Sequence, residues 1–494
     1  MKQEINNSCV PQRIPQRLNL PFLGHSYLLY FTQDTFSAVL KLASELGPIF
    51  RLKLGPLDSI AVASLELIKE TCDKSRFEKH IGRYLETLRG ELNNARFLSA
   101  VRGDEPIWGQ AHRILLPGFN KGTLQKVYFP RMLDVMKTLF IKWDNTPKDR
   151  EVNLSGDISR TSLDIMGLCA FNFRFNALLS EEIHPVITTL EEIFMYVAKK
   201  FLLPNFLNDL QFRKKKKSAH NVSILYRYVD DILEERKKQP DLEDLNDMPK
   251  DFLDLMLNDV DKTTGEKLDI VNIRDQIIGL LIAGAETSTG LLSFAFYNLM
   301  IHPDVLEKAY AEIDRVLGTD LSRELSPQDF LQLSYIEKIL NECLRLWPPI
   351  YLLERKSLED TLLGGKYPVK RGQHIWQVIC AVHRDKAIWG KDADSFNPDR
   401  FIPEFTDSLD PYAFIPFSTG RRICPGRHFA MLESTIILST ILQRYRLHLC
   451  PGYQFGIRSP LTLQPHTIRV TLEKRNNIGR KSQLFCKALQ ETGV

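Results

Sequence analysis

Residues 268–301, LDIVNIRDQIIGLLIAGAETSTGLLSFAFYNLMI, leave this chain few ways to fold. The stretch has helical length and no proline, and its middle is apolar almost all round. Such a helix has no face to give to water, so a large domain must be wrapped around it. Its longest uncharged apolar run, residues 277–285, is cut short by Glu286 and falls well below the length of a membrane span. A chain of 494 residues can supply that wrapping and bury a core wide enough for a large planar cofactor.

The remaining pattern supports one large domain. Residues 1–25 read as an extended arm steered by Pro11, Pro15 and Pro21, residues 26–475 as the domain, and residues 476–494 as a tail. Apolar residues alternate at Phe50, Leu52 and Leu54, and Gly55-Pro56 turns the chain into residues 59–63, a strand–turn–strand unit. Most of residues 65–318 reads as helix. The basic run 213–217 is expected as a solvated loop rather than a membrane-touching patch. A helix over residues 334–347 is stopped by Pro348-Pro349. Strand-like segments follow near Gly364-Gly365 and residues 370–372, and a last helix starts just after Cys424 and runs to about Tyr445. The fold class is mainly α with small β-sheets.

Charge and cysteines narrow the function. The 65 basic and 61 acidic residues are interspersed and leave a net +4, which is not the footprint of a nucleic-acid binder. The eight cysteines contain no CxxC pair or regular spacing, so neither a disulfide framework nor a cysteine zinc site is expected. Residues 1–20 lack the pattern of a signal peptide. The expectation is a soluble, cytoplasmic monomer without a transmembrane anchor.

The chemistry concentrates in Phe417-Ser418-Thr419-Gly420-Arg421-Arg422-Ile423-Cys424-Pro425-Gly426. Pro425 suits a first helical turn, which would place Cys424 at a helix N-terminus where free N–H groups lower a thiol pKa. Gly420 and Gly426 let backbone approach a flat ligand, Phe417 can shield the sulfur, and Arg422 can reach an anionic group. A lone buried cysteine would be read as structural.

The loop resembles the FxxGxRxCxG signature of the cytochrome P450 superfamily, and three further segments resemble that superfamily in its order. They are Ala283-Gly284-Ala285-Glu286-Thr287-Ser288, the pair Glu342 and Arg345, and Phe396-Asn397-Pro398-Asp399-Arg400-Phe401. The resemblance implies haem b held by the Cys424 thiolate, whose electron push favours O–O cleavage. The haem would lie between the long central helix and the cysteine-loop helix. Small residues before Thr287 would leave room for dioxygen where the helical hydrogen-bond ladder opens locally. Glu286 and Thr287 would then relay protons. Glu342, Arg345 and Arg400 would form a buried network behind the cofactor. Trp108, in Trp108-Gly109-Gln110-Ala111-His112-Arg113, and His112 would seat the haem carboxylates with Arg422. Lys79 and Arg355 match further such positions, with plain surface charge as the competing reading.

Within that superfamily, residues 108–119, 281–295, 340–349 and 382–390 resemble the haem domain of soluble bacterial self-sufficient fatty-acid hydroxylases. Those proteins continue into a flavin reductase, whereas this sequence ends about seventy residues after Cys424. Electrons are therefore expected from a separate ferredoxin or flavin reductase, with Arg421, Arg427, Lys121 and Lys126 as basic contacts. The first β unit also lacks the basic and phenolic residues that hold a substrate carboxylate in those proteins. An apolar substrate is expected, a long-chain fatty acid or another lipid or terpenoid, with Phe97, Leu98, Ile350 and Leu352 as pocket walls. Arg102 and Lys53 are the reserve anchors. The rival readings are a peroxide-driven peroxygenase or isomerase, and a haem gas sensor.

Overall fold

The computed structural model describes residues 11–475 except 33, 56, 148, 205, 207, 209–210, 239–249, 319 and 460–461. Cys9, Cys486, most of the first half of the expected arm and the expected tail therefore lie outside the described residues, as does Pro56 of the first turn.

The central helix is Ile270–Ile301, capped by Asp269, whose carboxylate accepts the Asn272 N–H. It packs most closely along the helix Leu154–Phe171, which is itself buried almost throughout. Small residues allow the contacts. Gly284 lies against Met166, and a Cβ at Gly279 would come 2.5 Å from the Cβ of Phe97. A Cβ at Gly290 would come 2.5 Å from the backbone oxygen of Leu463. The helices Ser334–Leu346 and Arg427–Arg444 close the remaining sides.

Two expectations about this helix need correction. Its hydrogen-bonded run continues through residues 283–287 without interruption. Thr287 instead donates its hydroxyl to the Ala283 carbonyl, four residues back, at 2.7 Å. It is also long and apolar enough to pass for a membrane span, because one central carboxylate barely lowers its mean hydropathy of 1.5. Burial of 78% of its apolar window inside the protein marks it as a core helix.

A five-stranded sheet flanks the helices, in the order Ile49–Leu54, Leu57–Val62, His374–Val378, Leu352–Ser357, Phe77–Lys79. The first two strands form the expected hairpin, with Phe50 opposite Ala61. The strand Leu57–Val62 runs parallel to His374–Val378, and the other pairings are antiparallel. Gly364 and Gly365, both at positive φ, turn the small hairpin Thr361–Leu363/Tyr367–Val369. The described part of the arm is tied to this region: Ile14 is buried, and the Arg51 N–H donates to the Pro15 carbonyl at 2.8 Å.

The basic run 213–217 is helical, not a loop. It forms the opening turns of Phe212–Lys238 with all five side chains exposed, and Lys217 pairs with Glu192 at 2.7 Å. Charge marked the solvent exposure correctly, but lysine and arginine are also good helix formers and carry no loop signal of their own.

Candidate active site

A cavity of about 560 Å³ opens beneath the central helix. Ala283, Gly284, Thr287 and Ser288 of that helix line it, and so do residues 416–418 and 422–426 of the cysteine loop. Ala283 and Cys424 are both solvent-accessible because both line this cavity.

The cysteine loop is held by backbone geometry. The Cys424 N–H donates to the Phe417 carbonyl at 2.9 Å, closing a narrow loop. Ser418 and Gly420 both take positive φ, which costs serine strain and glycine little. Gly420 does not line the cavity, so its role is this turn rather than contact with a flat ligand. Gly426 does line it, and a Cβ there would lie 3.8 Å from the Cys424 sulfur. The helix begins at Arg427 with Gly426 as its cap, so Pro425 lies outside the first turn and Cys424 two residues before the cap, not at the helix N-terminus as expected. Burial pushes its thiol up, opposed by the Gly426 N–H, Lys79 and Arg427. The expected lowering by a helix terminus is thus outweighed by desolvation.

Cations gather at one end. Lys79 donates to the Ser418 hydroxyl at 2.9 Å and to the Arg422 carbonyl at 2.6 Å. Burial, with Arg355 and Arg422 nearby, pushes Lys79 down to about 7. Arg422 donates one nitrogen to the Leu98 carbonyl at 3.0 Å, while its Nη1 is buried without a hydrogen-bond partner. Trp108 stacks on His112 with centroids 4.9 Å apart, and Arg421 and Arg422 both lie over the Trp108 ring. Arg355 does not line the cavity. It is buried behind Lys79 on the neighbouring strand and donates to Thr419 at 3.3 Å.

Glu342, Arg345 and Arg400 come together outside the cavity. Arg345 makes a two-point pair with Glu342 at 2.7 and 2.8 Å, and both are fully buried. Its other nitrogen donates to the His383 and Ala393 carbonyls. Arg400 reaches the same carboxylate at 3.0 Å, and the Asn397 N–H adds a fourth donor. The network ties the helix Ser334–Leu346 to the irregular segment before the cysteine loop.

Glu286 is turned away from the cavity, unlike its neighbour Thr287. Its carboxylate accepts from Gln464 at 2.7 Å and from Thr462 at 3.4 Å. Burial pushes it up to about 7, with Glu191 adding to the rise and Arg458 opposing it. Arg458 bridges Gln464 and the half-exposed Glu191, so polar atoms run from Glu286 to the surface. Thr462 lines the cavity. A second buried carboxyl, Glu433, accepts from Ser288 at 2.6 Å and is also pushed up to about 7 by burial. Thr462, Gln464 and Glu433 carry no motif of their own, and only the packing of their segments on the central helix reveals them.

Among the expected pocket walls, Leu98, Ile350 and Leu352 line the cavity. Phe97 does not: it is packed against Gly279 inside the core. Lys53 and Arg102 do not line it either, and Arg102 lies among Asp104 and Glu105 at the surface. Polar atoms at the wall come instead from the hydroxyl cluster of Thr35, Tyr351 and Ser459, with both partners 2.6 Å from Thr35, and from His80 and Glu354.

The family model described as cytochrome P450 matches residues 14–472. Two proteins of Bacillus subtilis (strain 168) are named bifunctional cytochrome P450/NADPH–P450 reductases 2 and 1. They are 38% and 39% identical over 91% and 94% of this chain. A self-sufficient cytochrome P450 monooxygenase of Exserohilum turcicum (strain 28A) is 33% identical over 95% of it. The matched region covers only 42–43% of these relatives' own length. A family match spanning nearly the whole chain, over a helical fold whose cysteine loop and central helix line one cavity, places this chain in the cytochrome P450 family.

Proposed function

We propose that the chain is a haem-thiolate monooxygenase that inserts one oxygen atom of O2 into an apolar organic substrate, with Cys424 as the residue whose thiolate would hold the iron. The family implies haem, and the residues fit it: a thiol faces the cavity, and Arg422 has a buried donor to spare for an anionic edge. Arg422, His112 and Trp108 would hold the carboxylates, Lys79 would brace the loop, and Phe417 and Gly426 would flank the sulfur. When bound, haem supplies the activation of dioxygen.

The chain's own residues supply the rest. Thr287 presents its oxygen to the cavity while its proton rests on the Ala283 carbonyl. Glu286, near its midpoint at neutral pH, can take up and give up a proton, and Thr462 and Gln464 connect it to the cavity wall and to Arg458. The observation that carries this reading is Cys424 and Thr287 lining one and the same largely apolar cavity. A peroxide-driven or gas-sensing role would not need such a proton path.

Electrons would come from an NADPH–P450 reductase of the kind for which the Bacillus subtilis relatives are named. Arg421, Arg427, Lys121 and Lys126 are all exposed, and they offer an acidic partner a basic face. The substrate would be a long-chain fatty acid or a similar lipid. With Lys79 bracing the loop and Arg422 given to the haem carboxylates, no cation among the described lining residues is left to anchor a substrate carboxylate, and chain burial at about 0.8 kcal/mol per methylene should dominate binding. A fatty acid, its methyl ester and its alcohol are expected to bind within about tenfold of one another. Reduced enzyme supplied with such a substrate under ¹⁸O2 should give product carrying one labelled atom. Unlabelled product, or no NADPH-dependent product across a lipid panel, would remove the monooxygenase reading.

A further inference from the structure

At the edge of the five-stranded sheet, three side chains that no part of the proposed oxygen chemistry uses converge on one point. Lys79 pairs with Arg355 across the antiparallel strands, so His80, one residue on, lies opposite Glu354, and its N–H donates to the Glu354 carbonyl at 3.1 Å. On the other side of Glu354, its strand pairs with His374–Val378, Glu354 opposite Trp376 and Lys356 opposite His374. Glu354 and His374 are therefore diagonal neighbours on the same face of the sheet. The three side chains meet as this register requires. His374 Nδ1 is 2.5 Å from Glu354 Oε1, His80 Nδ1 is 4.0 Å from the same oxygen, and the two imidazoles meet edge to face with centroids 4.9 Å apart.

One candidate ligand atom from each residue lies within 4.8 Å of the other two. Gly82 makes room for the carboxylate: it takes φ +76°, and any side chain there would run into Glu354 Oε2. All three side chains are at least partly buried, His80 the most. Two strands hold Glu354 and His374, and His80 follows directly on a third, so little ordering is left for binding to supply.

We propose that His80, Glu354 and His374 form a binding site for one divalent transition-metal ion of the zinc class, separate from Cys424. Two imidazoles and a carboxylate are a common ligand set for zinc, with a fourth position left to water. Zinc–ligand bonds of about 2.0–2.2 Å put tetrahedral donors roughly 3.4 Å apart, so binding through these atoms would part His374 from Glu354, now at 2.5 Å, and draw His80 in from 4.0 Å, each by about an ångström or less. The lone pair of His80 Nδ1 now accepts the Gly82 N–H at 3.0 Å, and coordination through that atom exchanges this bond for the metal. A bound ion would clamp the strands Leu352–Ser357 and His374–Val378 to the start of the helix Gly82–Glu91.

The test uses the haem-loaded full chain, stripped of metal by a chelator that leaves haem in place, and titrated with zinc chloride. The expected result is one zinc per chain, an X-ray absorption spectrum at the zinc edge showing two imidazole ligands, and a higher thermal midpoint. Separate substitutions His374→Ala, His80→Ala and Glu354→Gln should each weaken that binding at least tenfold. His448→Ala, at an exposed histidine pair with Glu473, should leave it unchanged. Haem content and circular dichroism of each variant separate lost binding from lost folding, and the wild-type absorption spectrum decides the matter even if a variant fails to fold. No saturable uptake by the wild type, a sulfur-rich zinc environment, or unchanged affinity in all three variants would overturn the proposal.

Discussion

Glu286 and Thr287 adjoin in sequence but face different surroundings, and their variants should fail differently. Thr287 lines the cavity, so Thr287→Ala should keep haem and substrate binding while product formed per NADPH consumed falls severalfold, with peroxide as the excess product. Unchanged coupling would remove the hydroxyl from the mechanism. Glu286 is held at about 7 by burial, above its ordinary 4.5. The folded state thus binds its proton more tightly than the unfolded state does. Its stability is full below about pH 4.5 and is lost as pH rises toward and through 7. Glu286→Gln should therefore raise the thermal midpoint at pH 8 relative to the parent, by the equivalent of about 1–3 kcal/mol, and change it little at pH 5. A pH-independent difference would mean the carboxyl is not held protonated. The sequence marked both residues, but not the outward turn of Glu286, because Thr462 and Gln464 arrive from a segment about 180 residues away.

At the scale of elements, the central helix, the helix Ser334–Leu346 and the first hairpin were legible from periodicity and proline placement alone. The basic helix start at Phe212 was not, since a run of like charges is compatible with either a loop or a helix. The cysteine helix begins two residues later than expected, because Gly426 and not Pro425 lies at the boundary. The short strand Phe77–Lys79 was hidden within a mostly helical region. It forms only by pairing with a strand nearly three hundred residues on. The buried network of Glu342, Arg345 and Arg400 joins elements in a way the spacing at positions 342 and 345 only hinted at. Glu342→Ala would leave two buried guanidinium groups without their shared carboxylate, costing roughly 3–5 kcal/mol. Haem-loaded yield should fall sharply and the thermal midpoint with it, and normal values for both would make the network peripheral.

Across the whole molecule, one domain wrapped on a buried helix followed from length and the apolar run, and the family match over residues 14–472 agrees. The cavity's polar wall was out of reach of sequence reasoning, because Thr35, Tyr351 and Ser459 come from three distant segments. The same holds for the His80, Glu354 and His374 cluster, which needs sheet register to assemble. The proposed chemistry rests on Cys424 holding iron in the cavity that Thr287 also lines. The direct measurement is the absorption spectrum of the reduced protein under carbon monoxide, for the parent and for Cys424→Ser. The parent should show the red-shifted Soret band of thiolate-ligated haem, and Cys424→Ser should lose it. A parent without that band, or a serine variant that keeps it, would contradict the assignment.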